Sequence, residues 1–197
     1  MQVIERVRMP TGSDPDLEAN KAVVRRMCQE VWTEGKLDVL EEIVAPDAVD
    51  HRAPPEAQGI DGAKAHIADM RAGISDLRLD ILEVVAEGDL VACELLWSGY
   101  HDGTLFGITP TYRWARCSQS CTYRIEDGKI AEIWQVVDTL GLLEDFGVAP
   151  PQDMNPLKIP LFTIGNILKM GARQARKPPS KPPAPHGWPY EGAAGRG

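Results

Sequence analysis

The spacing of apolar residues changes once along the chain, close to Leu77. Before that point apolar residues recur three and four positions apart, which is the period of helices buried on one face. After it they alternate with polar residues, which is the period of strands. Helices that precede a run of strands indicate an α+β domain. The sequence therefore predicts one curved antiparallel sheet with three N-terminal helices packed on its concave face.

The three predicted helices have recognisable ends. The first is capped by Asn20 and stops at Gly35, and the second is ended by Pro46. The third is capped by Asp61. Their inward positions are Val23, Val24, Met27, Cys28, Val31 and Trp32, then Leu37, Leu40 and Ile43, then Ile67, Met70 and Ile74.

The long strands follow in the segments "LRLDILEV", "DLVACELLWSGYH", "YRWARCSQSCTYRI" and "IAEIWQVVD". The last two are joined by "EDGK", a hairpin turn in which Gly128 adopts positive φ at little cost. If Gln135 faces the cavity, alternation turns Trp134 to the other face. On the neighbouring strand the same face would carry Cys117, Gln119, Cys121 and Tyr123.

The chain divides into three parts by composition. Residues 1–19 are expected to form a flexible arm, residues 20–152 the domain, and residues 153–197 an extension. The extension is first apolar and basic, then rich in proline and glycine, as in extended or disordered segments. Three interpretations of it stay open: packing over the pocket mouth or a partner subunit, contact with a membrane surface, or binding to another protein.

Composition narrows the classes of partner. A net charge of −8 and a pI near 5.0 disfavour nucleic acid. The N-terminus has neither the pattern of a signal peptide nor that of a membrane anchor, and the four cysteines are expected to be reduced thiols, so a cytoplasmic location is expected. The histidines lack metal-ligand spacing, so we expect no metal site and no cofactor.

Two blocks carry a family resemblance: "GYHDGTLFGITPT" (99–111) and "DGKIAEIWQVVDTLGLLEDFG" (127–147). With the order of elements over about 20–147, they resemble the SnoaL-like polyketide cyclases of the nuclear transport factor 2-like superfamily. The resemblance implies a cone-shaped α+β barrel, a homodimer formed through the sheet, and a pocket for a hydrophobic, polycyclic or polyketide-like molecule. Fold alone does not determine function in this superfamily.

The resemblance also implies where catalytic residues should lie. Aldol cyclases of the family use an aspartate in the last strand as general base and a histidine on the neighbouring strand. Counted from the "DGKI" turn, these positions hold Gln135 and Cys121. An amide has no basic form near neutral pH and cannot take a proton from carbon, which puts this mechanism in doubt.

Other residues could carry proton transfer. His51 ends the short extended piece "AVDHRAP" and is expected to line the pocket mouth as the acid–base group, whereas Asp50 is expected to face solvent. Asp138 is either catalytic or the cap of the following helix. His101 is either functional or a turn residue that shapes the strand end.

The remaining predicted site residues would bind the ligand. Gln135 and Gln119 would orient a ligand oxygen, Tyr123 would donate a hydrogen bond, and Cys121 would share this floor. Aromatic walls are predicted at Trp32, Tyr100, Phe106 and Tyr112. Two functions stay open: a cofactor-independent cyclase, hydratase or isomerase, or a non-catalytic binding domain that lost the cyclase acid.

Overall fold

The first helix, α1 (Leu17–Arg26), begins earlier than the sequence predicts. The structure is a computed structural model that describes residues 16–174 and 178–185. Asp16 caps α1 by accepting a hydrogen bond from the backbone N–H of Ala19, whereas Asn20 lies inside the helix and donates to the carbonyl of Gly88. Most of the predicted 1–19 arm lies outside the described residues, and its last residues form this cap and first turn.

The helical half of the domain continues through three further segments. A π-helical stretch, Met27–Thr33, prolongs α1, and the short helix α2 (Val39–Ile43) follows. Helix α3 (Gly59–Gly73) starts two residues before the predicted cap Asp61. The predicted order of three helical segments before the long strands is confirmed.

Five strands form a single curved sheet in the order β1-β5-β4-β3-β2. They are β1 (Val44–Asp50), β2 (Ile74–Glu87), β3 (Leu90–His101), β4 (Arg113–Glu126) and β5 (Lys129–Val137). Four strands are antiparallel neighbours, but β1 pairs parallel with β5, so the sheet is mixed. Within the described residues β1 and β2 do not pair with each other. The α+β class is confirmed, and the sheet is open where a barrel was expected.

A two-residue hairpin turn sets the register of β4 against β5. Asp127 and Gly128 both have positive φ, 49° and 75°, the conformation of a turn whose twist matches antiparallel strands. Glu126 consequently pairs with Lys129 and Ile125 with Ile130, but a bulge at Ala131 then shifts the register by one residue, so that Cys121 lies opposite Gln135 and not opposite Trp134. The bulge places Gln135 on the same face as Cys121 and Tyr123, the arrangement that the predicted cavity face requires.

The hydrophobic core lies between the helices and the concave face of the sheet. Its fully buried members come from both layers and include Val24, Val31, Leu40, Ile43, Leu95, Ile130 and Phe146. Burial of such side chains contributes about 1.5–3 kcal/mol each. Several core residues, among them Met27, Leu40 and Leu95, also line a cavity between the two layers.

Two helices follow the sheet. Helix α4 (Thr139–Asp145) packs against β4, and helix α5 (Ile159–Gln174) belongs to the C-terminal extension. Leu157, Leu161 and Ile164 of this extension are largely exposed. In the part of the chain that the structure describes, no helix has the length and apolar character needed to cross a membrane.

Candidate active site

A cavity of about 560 Å³ lies between the helices and the concave face of the sheet. This volume is typical of small-molecule sites, and so is a lining of mainly apolar residues. The apolar lining includes Met27, Trp32, Leu40, Ile67, Met70, Leu77, Leu79, Leu95, Trp97, Ile133 and Leu142. The cavity can therefore enclose a hydrophobic molecule of moderate size.

A chain of hydrogen bonds crosses the polar side of the cavity. Gln135 donates from Nε2 to Oδ2 of Asp50 at 2.8 Å. Gln119 donates from Nε2 to Oε1 of Gln135 and to Sγ of Cys121. Because a carboxylate accepts but does not donate, Asp50 fixes which end of the Gln135 amide faces it. Asp50, Gln119 and Gln135 all line the cavity.

The carboxylate of Asp50 is held in place from several sides. Its Oδ1 accepts the backbone N–H groups of Arg52 and Ala53. The side chain of Gln58 brackets the same turn, accepting from the Asp50 N–H and donating to the carbonyls of Asp50 and Ala53. This arrangement positions one carboxylate on the cavity wall.

The expectation that Asp50 faces solvent is wrong, and the parallel pairing of β1 explains why. Asp50 is in register with Ile133, and paired residues of neighbouring strands point to the same face. Since Ile133 lines the cavity, Asp50 does as well. No local pattern indicates this pairing, because β1 is short and its pairing with β5 contains a register shift.

His51 lies on the opposite, convex face of the sheet. Its ring stacks on Trp134 with the centroids 4.7 Å apart, and its Nε2 lies 2.7 Å from Oε2 of Glu132. Glu132 also accepts a hydrogen bond from Arg124. The expected position of His51 at the pocket mouth is therefore not the observed one, because neighbours in a strand point to opposite faces.

The pKa of Glu132 is affected by its two neighbours, His51 and Arg124. Partial burial alone would raise the pKa of this carboxyl, but the hydrogen bonds and charges of His51 and Arg124 outweigh it, and the pKa of Glu132 is lowered. Arg124 is buried and also pairs with Asp89. This ionic network holds the convex face together and has no contact with the cavity.

Tyr123 and Cys121 are protonated at neutral pH. Tyr123 lines the cavity, and burial raises the pKa of its hydroxyl well above 10, so it remains a hydrogen-bond donor. Burial raises the pKa of Cys121 to about 11. A buried thiol of this kind is a poor nucleophile. Cys121 does not line the cavity as expected, and it accepts hydrogen bonds from Gln119 and Tyr123.

The predicted aromatic walls divide between the two faces. Trp32 and Phe106 line the cavity. Tyr100 lies on the convex face, tilted against Trp114 at 5.5 Å between ring centroids, because alternation along β3 places it opposite to Trp97. Tyr112 adopts positive φ just before β4 and does not line the cavity.

Asp138 and His101, for which the sequence left a catalytic and a structural role open, both occupy structural positions. Asp138 caps α4, since its Oδ1 accepts the N–H of Gly141 at 2.9 Å. His101 is fully buried: its Nδ1 lies 2.9 Å from Oγ1 of Thr111, and its ring stacks on Phe146. Neither residue lines the cavity.

No group of three or more histidine, cysteine or acidic side chains among the described residues could hold a metal ion. The polar residues that line the cavity are Asp50, Arg52, Gln58, His66, Gln119, Tyr123, Gln135 and Thr139. Sequence reasoning identified Gln119, Tyr123 and Gln135 as cavity residues. It placed Asp50 of the "AVDHRAP" segment in solvent and did not identify Gln58.

The comparisons with known proteins agree with this architecture. The family model of the SnoaL-like polyketide cyclases matches residues 22–146. The chain belongs to this family. It is 30% identical over 131 residues to aklanonic acid methyl ester cyclase of Streptomyces peucetius, a match that covers 64% of this chain and 88% of the relative.

Solved structures of similar proteins show the same fold. TsrD of Streptomyces laurentii is 26% identical with a TM-score of 0.64, covering 69% of this chain and 100% of that one. IdmH of Streptomyces antibioticus is 27% identical with a TM-score of 0.58, covering 66% and 99%. The matched part of this SnoaL-like chain is the helix-and-sheet domain, and the C-terminal extension lies beyond the family match.

Proposed function

We propose that this SnoaL-like protein is a cofactor-independent cyclase of a hydrophobic, polyketide-like substrate, and that Asp50 is its general base. The observation that carries the proposal is the 2.8 Å hydrogen bond from Gln135 to Asp50 inside the cavity. The acid that the family resemblance implies at position 135 is replaced by an amide, and a carboxylate from the neighbouring strand lies beside it.

The proposed reaction is an intramolecular aldol closure. Asp50 removes a proton from a carbon next to a carbonyl group, which leaves an enolate in the substrate. The enolate carbon attacks a second carbonyl of the same molecule, so that a C–C bond forms and the C=O becomes an alkoxide. The alkoxide then takes up a proton, and no oxidant or reductant is needed.

The amides would stabilise the charge that develops in this reaction. The NH₂ group of Gln135 carries two hydrogens, of which one is directed at Asp50 and the second is available to a ligand oxygen. The protonated hydroxyl of Tyr123 lies on the same wall, where it hydrogen-bonds Cys121 in the absence of a ligand. Donors directed at a developing oxyanion are worth about 3–4 kcal/mol each in other enzymes.

Two substitutions of adjacent residues test the assignment. Aklanonic acid methyl ester, the compound in the relatives' name, and simpler polycyclic β-keto esters serve as substrates. Asp50→Asn should lower kcat by at least about 100-fold, the usual contribution of a general base. His51→Gln is the matched control, because His51 lies one residue away on the other face, and its kcat should remain within about twofold of the wild type. Full activity of Asp50→Asn, or loss of activity in His51→Gln, would refute the role of Asp50.

A non-catalytic binding domain is the second candidate, and one observation favours it. The polar groups of the cavity already satisfy each other in the chain Asp50–Gln135–Gln119–Cys121. A binding domain would retain a polycyclic ketone with an affinity nearly independent of pH and would show no turnover. An enzyme that uses a carboxylate as general base would show turnover with a pH-dependent rate.

A further inference from the structure

The segment Pro178–Pro185, "PPSKPPAP", lies against the convex face of the sheet through Lys181 and Pro182. The ammonium group of Lys181 is 2.6 Å from Oδ2 of Asp76 and 2.8 Å from Oγ of Ser75. The carbonyl of Pro182 accepts a hydrogen bond from Nε1 of Trp114 at 3.1 Å. The segment is thus bound by a side chain and by its backbone.

Two aromatic rings complete the surroundings of the Lys181 ammonium. It lies 5.3 Å from the ring centroid of Tyr100 and 5.1 Å from that of Trp114, within the range of cation–π attraction. Tyr100 and Trp114 are directly paired between β3 and β4. Tyr100 is only 1% exposed although it lies outside the hydrophobic core.

Asp76, the acidic residue of this site, is positioned by an unusual backbone conformation. Asp76 has a φ of 53°, the left-handed region that residues other than glycine adopt infrequently. It lies near the start of β2, where the pairing with β3 shifts between Ser75 and Arg78. The irregularity turns Asp76 out of the ladder and toward the ammonium group.

The ligand segment is suited to such a site by its composition. Five of the eight residues of "PPSKPPAP" are proline, and proline-rich segments are extended before they bind, so little conformational entropy is lost. Aromatic surfaces are the usual binding partners of such segments. The single lysine supplies a charge that the carboxylate and the two rings can recognise.

We propose that Tyr100, Trp114, Ser75 and Asp76 form a binding site for a lysine within a proline-rich segment, and that the chain's own Lys181 occupies it. The site anchors the C-terminal extension to the same copy of the protein. Helix α5 makes a separate contact with the domain, in which Nδ2 of Asn166 donates to the carbonyl of Val148. The extension is therefore held at two points, both of which follow its exposed apolar residues along the chain.

A zero-length carbodiimide crosslink on the full-length protein tests the contact. The reagent joins an ammonium to a carboxylate that touches it, so Lys181 should be linked to Asp76. After digestion with trypsin, residues 72–78 form a peptide whose only acidic side chain is Asp76, and Lys181 lies in the peptide 177–196 together with Lys177. Lys177 is the internal control for unspecific reaction of the tail.

The proposal requires the Lys181–Asp76 link to exceed the Lys177–Asp76 link by roughly fivefold, as expected for a cation–π site. Equal amounts of the two links, or neither link, would overturn it. Mixing ¹⁴N and ¹⁵N protein before the reaction distinguishes attachment within one copy from exchange between copies. Links between light and heavy peptides would overturn the attachment to the same copy.

A second measurement does not depend on the crosslinking chemistry. Hydrogen exchange of the Trp114 indole N–H is followed by NMR in the full-length protein, after assignment with Trp114→Phe. Lys181→Gln should accelerate this exchange by roughly fivefold or more, and so should Asp76→Asn, in which asparagine retains the left-handed backbone. Lys181→Arg keeps the charge and should leave the rate near that of the wild type. Unchanged exchange in Lys181→Gln would contradict the site.

Discussion

The amide of Gln135 and the carboxylate of Asp50 lie 2.8 Å apart across the β5–β1 pair. An amide is compatible with a carboxylate at this distance because it donates a hydrogen bond. A second carboxylate is not, since two like charges so close cannot both remain ionised. The identity of residue 135 therefore decides whether this contact is a hydrogen bond or a repulsion between like charges.

Replacing Gln135 by glutamate should make stability depend on pH. One of the two carboxyl groups would acquire a raised pKa, because the negative charge of the other disfavours its ionised form, so the folded state would bind more protons than the unfolded state. The free energy of unfolding should then decrease as pH rises from about 4 to 7. Urea unfolding at several pH values measures this, with Gln135→Met as the uncharged control. Equal pH slopes for the two variants would contradict the assignment of this contact.

The role of Asp138 as a helix cap gives a second prediction. Asp138→Ala should reduce the free energy of unfolding by about 1 kcal/mol, because the N–H of Gly141 loses its acceptor. Asp138→Asn retains a capping oxygen and should retain most of the stability. Thermal unfolding measures both variants, and turnover by Asp138→Asn should equal that of the wild type. A large loss of turnover in this variant would instead support a catalytic Asp138.

His101 is predicted to matter for stability alone. His101→Ala removes a fully buried ring that stacks on Phe146 and should lower the free energy of unfolding by about 3 kcal/mol, in the range of aromatic-to-alanine changes. Turnover per folded molecule, measured below the unfolding transition, should be unchanged. Tyr112→Ala, a nearby change outside the core, should cost less. Loss of turnover at full folding would assign His101 a functional role.

Lowering the pH should reduce the free energy of unfolding through the contacts that Glu132 makes on the convex face. The pKa of Glu132 is lowered in the folded state, so its contribution is present above the ordinary value of 4.5 and is lost as pH falls through the lower folded value. The wild type should therefore lose stability in this acid range, and Glu132→Gln should lose less. Unfolding by urea between pH 3 and 6 compares them. An identical loss of stability at low pH in the wild type and in Glu132→Gln would show that the ionic contacts of Glu132 add nothing to stability.

The faces on which the strand residues lie show which parts of the candidate site could be predicted from the sequence. Alternation within β4 places Gln119 and Tyr123 on one face, and alternation within β5 places Gln135 and Trp134 on opposite faces. The bulge at Ala131, which the local pattern does not indicate, brings Gln135 to the face of Gln119. Alternation from Trp97 also puts Tyr100 on the convex face, where a cavity wall was expected. Which of Asp50 and His51 faces the cavity could not be predicted, because it depends on which residue of β1 pairs with Ile133.

The sequence alone determined the α+β class, the family resemblance and the alternation of faces within uninterrupted stretches of the long strands, because these follow from local periodicity and turn chemistry. The tertiary structure decided which acid reaches the cavity and where the tail lies. Both depend on partners far away along the chain: Asp50 is brought to Gln135 by parallel pairing of an edge strand, and Lys181 to Asp76 over more than 100 residues. Local pattern contains no information on such contacts, since their energy arises only after the chain has folded.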